Sequence, residues 1–109
     1  MEGFFTSQKG KYMHSYYIYI VSNTSRMLYV GLTNDIEKML LKHREMRMGN
    51  YKGNFAYNKL VYVEEIRDVN KAIKREIELR TSTRLEKIQL LEITNPNWDC
   101  LSEYWMEKV

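Results

Sequence analysis

Residues 16 to 43 read Tyr16-Tyr17-Ile18-Tyr19-Ile20-Val21-Ser22-Asn23-Thr24-Ser25-Arg26-Met27-Leu28-Tyr29-Val30-Gly31-Leu32-Thr33-Asn34-Asp35-Ile36-Glu37-Lys38-Met39-Leu40-Leu41-Lys42-His43. Tyr17 to Val21 is β-branched and aromatic throughout, and Met27 to Val30 repeats that chemistry after the polar run Ser22 to Ser25, so the pair predicts a β-hairpin. Gly31 closes the second strand, where a missing side chain admits an unusual backbone angle or the close approach of another group. A helix then starts at Thr33 or Asn34. Asn34 with Glu37 forms a capping-box pattern, and Asp35 and Glu37 suit the positive end of the helix dipole. Ile36, Met39, Leu40 and His43 recur at helical spacing and share one face.

Outward from this unit, 109 residues allow one domain with one modest core. The longest apolar run, around residues 16 to 21, falls far short of the roughly 20 residues a transmembrane helix needs. The N-terminus lacks a basic-then-apolar secretory pattern, which points to the cytoplasm. Cys100 is the single cysteine and reads as a free structural thiol. A net charge of +3 is only mildly basic. Its distribution says more: Lys38, Lys42, Arg44, Arg47, Lys52 and Lys59 face only Glu45 between residues 38 and 59, a cluster able to track phosphates. The alternative is a solvated helix face followed by a soluble loop.

Residues 1 to 15 lack a regular period and read as a leader. Met48 to Asn58 is rich in Gly and Asn, a loop whose Tyr51, Phe55 and Tyr57 either contact nucleic acid or seal it onto the core. Lys59 to Glu65 reads as a third strand. Asp68 caps a second helix from Val69 to Leu79, with Val69, Ala72, Ile73 and Ile77 against the sheet and Lys71, Lys74, Arg75 and Glu78 elsewhere around it. Glu76 falls on or beside the inward stripe, where a carboxylate must be paired, protonated or bound to a cation. An ion pair with Arg75, Arg80 or Lys38 is the plainer explanation. Thr83 and Glu86 form a capping box for a third helix, which Asn95-Pro96 ends. The domain then spans 16 to 101, and 102 to 109 is a tail. The order β-β-α-β-α-α predicts an α+β fold, a small three-stranded, mainly antiparallel sheet flanked by helices.

Tyr17-Ile18-Tyr19, the turn, Tyr29-Val30-Gly31, then Thr33-Asn34-Asp35-Ile36-Glu37 and His43 resemble the signature of the GIY-YIG nuclease superfamily. The similarity is greatest to its small stand-alone bacterial branch, in which the first glycine is commonly a tyrosine, as Tyr17 is. It extends over about residues 16 to 101. It implies a DNA endonuclease, with branched, damaged or otherwise structured DNA as partner and a role of the DNA-repair kind. It also implies one divalent cation, Mg²⁺ or Mn²⁺, with Glu76 as its ligand. Tyr19 would be the base or water-positioning group, Tyr29 would orient water or phosphate, and His43 matches the family histidine. Tyr17, Gly31 and Asn95 would support the site. Each also has an ordinary structural role: packed strand tyrosines, a boundary histidine, a turn asparagine before proline.

Met39 stands where the family carries its catalytic arginine, and Lys38 is turned away by about 100°. Transition-state arginines in phosphoryl transfer contribute on the order of 10³ to 10⁵ in rate. The resemblance therefore implies activity weakened or lost, with a non-catalytic nucleic-acid-binding module and a protein-interaction domain as alternatives. Arg80-Thr81-Ser82-Thr83 also departs from a lysine-glycine-tryptophan-like segment of that branch.

Overall fold

The computed structural model describes residues 15–45, 57 and 59–109. The leader before Ser15 and most of the Gly/Asn-rich loop, with Arg47 and Lys52, lie outside these residues. The predicted hairpin forms as β1 (Tyr16–Ser22) and β2 (Leu28–Thr33), followed by α1 (Ile36–Glu45), β3 (Lys59–Ile66), α2 (Val69–Thr81), α3 (Arg84–Thr94) and α4 (Ser102–Lys108). The sheet is antiparallel throughout in the order β2-β1-β3, as the predicted α+β class requires. The helix α4 forms where the sequence shows only a tail.

Alternation along β1 divides the molecule into two cores. Ile18 and Ile20 enter one with Val30, Val61, Ala72, Leu79, Leu91 and Trp98, which places α2 and α3 on that face. Val21 enters the other with Ile36, Leu40 and Leu60, bordered by Tyr17, Tyr19, Met39, Leu101 and Trp105, which places α1 and α4 there. The register shifts between Ile20, opposite Tyr62, and Val21, opposite Leu60. Val61 is therefore a bulge residue, and it joins Tyr62 in the Ile20 core.

The hairpin loop is closed by the Asn23 side chain, which accepts from Met27 N–H at 2.9 Å, with Arg26 in the left-handed region at φ 61°. Arg84 Nη1 donates to Arg26 O at 2.7 Å and ties the loop to α3. At α1 the cap is Asp35 rather than Asn34: Asp35 Oδ1 accepts from Lys38 N–H at 3.0 Å, and Thr33 Oγ1 accepts from Asp35 N–H at 3.0 Å. The other two caps form as expected. Asp68 accepts from Lys71 N–H, and Thr83 and Glu86 bond reciprocally at 3.1 and 2.9 Å.

The inward face of α2 differs from the expected one. Val69, Ile73 and Ile77 are 42%, 45% and 44% exposed, whereas Ala72 and Leu79 are buried and Arg75 and Glu76 half-buried. The cause is electrostatic. Arg75 Nε bonds both carboxylate oxygens of Glu64 on β3, at 3.3 and 3.0 Å, and Tyr62 donates to the same carboxylate at 2.6 Å. Burial and that hydrogen bond push the Tyr62 hydroxyl up to about 12, so it stays a donor. This clamp sets the rotation of α2 and keeps Glu76 beside the sheet.

After α3 the chain returns along β3. The Asn95 amide donates to the bulge carbonyl of Val61 at 3.1 Å and to Asp99 O at 2.9 Å, and its oxygen accepts from Asp99 N–H at 3.0 Å. Leu101 N–H then donates to Leu60 O at 2.8 Å, covering the strand edge. Trp98, 2% exposed at φ 57°, donates to Glu92 at 2.6 Å and lies 4.4 Å beneath the Arg26 guanidinium.

Asn95→Ala leaves a buried carbonyl and amide without partners. A loss of about 2 to 4 kcal/mol is expected in urea unfolding, more than a lone exposed hydrogen bond supplies. Gly31→Ala tests the hairpin. A Cβ there meets Tyr19 Cζ at 2.3 Å and its hydroxyl at 2.4 Å. The substitution is expected to cost ~1–3 kcal/mol in the wild type and clearly less in a Tyr19→Ala background, read as a double-mutant cycle.

Candidate functional site

Tyr19 and Gly31 face each other across β1 and β2, and Tyr17 faces Thr33. Directly opposed residues share a face, so Tyr17, Tyr19, Gly31 and Tyr29 all lie on the side covered by α1. The ring of Tyr19 occupies the space that a side chain at position 31 would need. Gly31 therefore serves the site indirectly, by letting a phenol lie flat on the neighbouring strand. Burial, and then the nearby Tyr29, raise the Tyr19 pKa. Tyr29 itself is 56% exposed, and its ring centroid lies 6.0 Å from that of Tyr57.

Tyr17 is held further along the same face. Its ring meets Trp105 of α4 edge-on, with centroids 6.2 Å apart. Burial raises its pKa too, with the Glu65 charge next in effect; Glu65 accepts from Ser15 Oγ at 2.7 Å. Met39 of α1 is half-buried against the Val21 core beside Tyr17 and Tyr19, so the side chain at the family's arginine position is apolar packing here.

His43, one turn beyond Met39, is buried at 4% exposure, and its Nε2 has no hydrogen-bond partner among the described residues. Its imidazole is near enough to the Cys100 sulfur to lower the thiol pKa. That sulfur also meets Ser102 Oγ at 3.3 Å and accepts from Leu60 N–H at 3.4 Å. Cys100 is free, as expected. Burial raises the thiol pKa, and the nearby His43, Ser102 and Leu60 groups outweigh it, bringing the thiol down to about 6. Sequence reasoning missed the Leu60 contact to this sulfur because nothing local to either residue signals it.

Glu76 sits on α2 between Ala72 and Leu79, whose side chains belong to the Ile18 and Ile20 core. Its carboxylate is 17% exposed and accepts from Arg80 Nε at 2.9 Å, so among the expected partners Arg80 is the one it meets. The structure thus gathers Tyr17, Tyr19, Gly31, Tyr29 and Met39 on one face. Glu76 comes from the helix that lies across β2 and β1 on the other. Among the described residues no cluster of three or more His, Cys, Asp or Glu side chains could hold a metal. A cation with one carboxylate ligand fits this donor set if it is of the magnesium kind, which keeps waters and borrows phosphate oxygens. Asn95 stands behind the site as the β3 clamp.

Of the expected phosphate-contacting cations, Lys38 and Lys42 are exposed on α1, and Lys59 is half-buried at the start of β3. Arg44 is exposed and lies 3.6 Å from Glu103 of α4. Arg47 and Lys52 lie outside the described residues. Among the described residues no helix is long and apolar enough to cross a membrane.

Known proteins share this fold and part of this sequence. Residues 15–89 match the family model described as the GIY-YIG catalytic domain. A UPF0213 protein of Staphylococcus saprophyticus is 37% identical over 79 residues, covering 72% of this chain and 96% of that protein. A UPF0213 protein of Syntrophus aciditrophicus is 33% identical over 81 residues, covering 73% and 93%. The solution NMR structure of a UPF0213 protein from Bacillus halodurans superposes with a TM-score of 0.54 at 22% identity, over 78% of this chain and 90% of that one, and shares the fold. With a nuclease-type domain matched over most of its length and small relatives matched almost end to end, this chain belongs to the GIY-YIG family.

Proposed function

We propose that this chain binds DNA through the α1 face and retains at most weak, divalent-metal-dependent phosphodiester cleavage. The observation that carries the reading is the Tyr19 phenol laid on Gly31 with Tyr29 beside it. It pairs one sheltered and one exposed hydroxyl on a face bordered by the exposed Lys38 and Lys42. Structured DNA, branched or damaged, is the proposed substrate class.

In this reading each residue has a role set by its surroundings. Tyr19, with its pKa raised, stays protonated at neutral pH and orients the attacking water rather than serving as a phenolate. Tyr29, open to solvent, contacts the phosphate. His43 handles a proton at the same face. Glu76, which α2 carries on the other face of the sheet with Arg80 on one of its oxygens, would hold a Mg²⁺ or Mn²⁺ ion and meet the same phosphate only around the β2 edge. Such an ion, when bound, polarises the phosphoryl oxygen and stabilises the departing oxyanion.

Met39 is where the reading predicts a deficit. No guanidinium reaches the tyrosines from α1, so the charge that builds on the phosphoryl group meets a thioether. The same observation favours a second reading, a binding module without turnover. A nicking assay with magnesium or manganese on supercoiled and branched DNA separates them. Little cleavage is expected from the wild type. A gain of roughly tenfold or more is expected in Met39→Arg, well below the 10³ to 10⁵ that an arginine placed for the transition state supplies. That gain should vanish in the Met39→Arg, Glu76→Ala double variant. Retention of DNA that weakens with salt but no cleavage by any variant selects the binding module. Identical behaviour of all variants with no DNA retention overturns both readings.

A further inference from the structure

The two halves of the proposed site lie on opposite faces of one sheet. Tyr29 lies on the face covered by α1, and Glu76 belongs to α2 on the other. β2 is an edge strand, so a DNA strand that meets both must pass around it. At one end of that edge the hairpin loop meets the start of α3. Tyr29 follows Arg26 by three residues, roughly 10 Å of extended chain, or about three base steps of a duplex. On the other side, Glu76 lies in the C-terminal half of α2, which ends at Thr81, and α3 opens with Arg84.

Arg26 and Arg84 are exposed, yet their positions are fixed. Arg84 Nη1 donates to Arg26 O at 2.7 Å, and the Arg26 guanidinium lies 4.4 Å from the Trp98 ring centroid. Arg44, Arg75 and Arg80 each meet a carboxylate, whereas among the described residues Arg26 and Arg84 form no ion pair. Both carboxylates of α3 are bonded elsewhere: Glu86 accepts from Thr83 N–H at 2.9 Å, and Glu92 from Trp98 Nε1 at 2.6 Å. Lys87, on the next turn of α3, adds a third positive charge, with Nζ held on Ser82 O at 2.6 Å. Like charges gathered without a counter-charge repel, and an anion relieves that repulsion. The guanidinium donors left over have the planar fork that matches phosphate oxygens.

We propose that Arg26 and Arg84 form a second contact for the DNA backbone, receiving a phosphate where the strand crosses from the Tyr29 face to the Glu76 face. The inference rests on the DNA-binding reading and adds to it a path around the β2 edge. Side chains already held by a carbonyl and an aromatic ring lose less freedom on binding than unrestrained surface arginines. A phosphate contact carries no base preference, so its signature is the salt dependence of affinity.

The test is binding of a fluorescein-labelled DNA duplex, followed by anisotropy over a range of sodium chloride and in EDTA so that cleavage plays no part. Arg84→Gln and Arg26→Asn, the latter chosen because Arg26 has φ 61° and asparagine accepts that left-handed backbone, are the variants. Each is expected to weaken binding about threefold or more and to lower the slope of log affinity against log salt by about 0.9. The double variant should lose about twice that slope. Lys71→Gln removes the same charge from the other end of α2 and should change affinity by less than about twofold. Urea unfolding checks each variant, and Arg84→Gln decides if Arg26→Asn, deprived of its contact with Trp98, does not fold. Folded arginine variants that bind like wild type, or a loss in Lys71→Gln as large as in Arg84→Gln, overturn this contact and leave the α1 reading standing. Absence of salt-sensitive binding by the wild type overturns that reading, and this contact with it.

Discussion

The central strand is buried from both sides, and everything else follows from how its residues are shared. Ile18 and Ile20 are fully buried against α2 and α3, while Tyr17, Tyr19 and Val21 face α1 and α4. A slip of one residue would exchange the two sets, driving phenols into the α2 core and isoleucines onto the candidate site. Register is therefore fixed by burial on both faces, and with it the opposition of Tyr19 to Gly31. The site's geometry is a by-product of the packing requirement. The phenol can lie flat only because the neighbouring strand offers no side chain there.

Much of this was legible because the signals are local. The strands declare themselves through runs of β-branched and aromatic residues, and the Thr83 and Glu86 capping box needs only its own turn of helix. What failed was anything decided by a partner distant in sequence. Val69, Ile73 and Ile77 have the spacing of a buried stripe, yet Arg75 wins the inward face through its paired bonds to Glu64. A charged residue scored as outward by composition was in fact the anchor. The choice of Asp35 over Asn34 as cap has the same character on a smaller scale, since Thr33 restrains Asp35 N–H first. Glu76 is half-buried, but beside Ala72 and Leu79 rather than on the Val69 and Ile73 stripe from which its inward position was reasoned, and its partner Arg80 lies one turn away. The meeting of Cys100 with Leu60 depends on the path of the chain after α3, for which spacing supplies no rule.

That path is itself constrained. The β3 bulge at Val61 interrupts the ladder, and the Asn95 amide supplies a partner to the bulge carbonyl. Because Asn95 also binds both backbone groups of Asp99, the following residues are laid along the edge of β3. Leu60 then donates to Cys100 and accepts from Leu101. An asparagine that supports the nuclease site in the family resemblance thus acts here through backbone. It fixes where the C-terminal segment runs, and so which groups reach α1.

Binding and turnover place different demands on the α1 face. Attraction of a phosphate backbone to Lys38 and Lys42 acts over about a Debye length, roughly 8 Å at physiological salt, and tolerates mobile, exposed side chains. Stabilising a pentavalent phosphoryl group needs donors placed to within a fraction of an ångström. The described arginines nearest in role are already engaged, Arg75 with Glu64 and Glu78 and Arg80 with Glu76. In the proposed reading, methionine at position 39 takes the place of the one group whose loss affects turnover far more than association. It also adds apolar contact to the core that holds Tyr17 and Tyr19. A chain under selection for retention of nucleic acid alone can accept that exchange, whereas one under selection for rapid cleavage cannot.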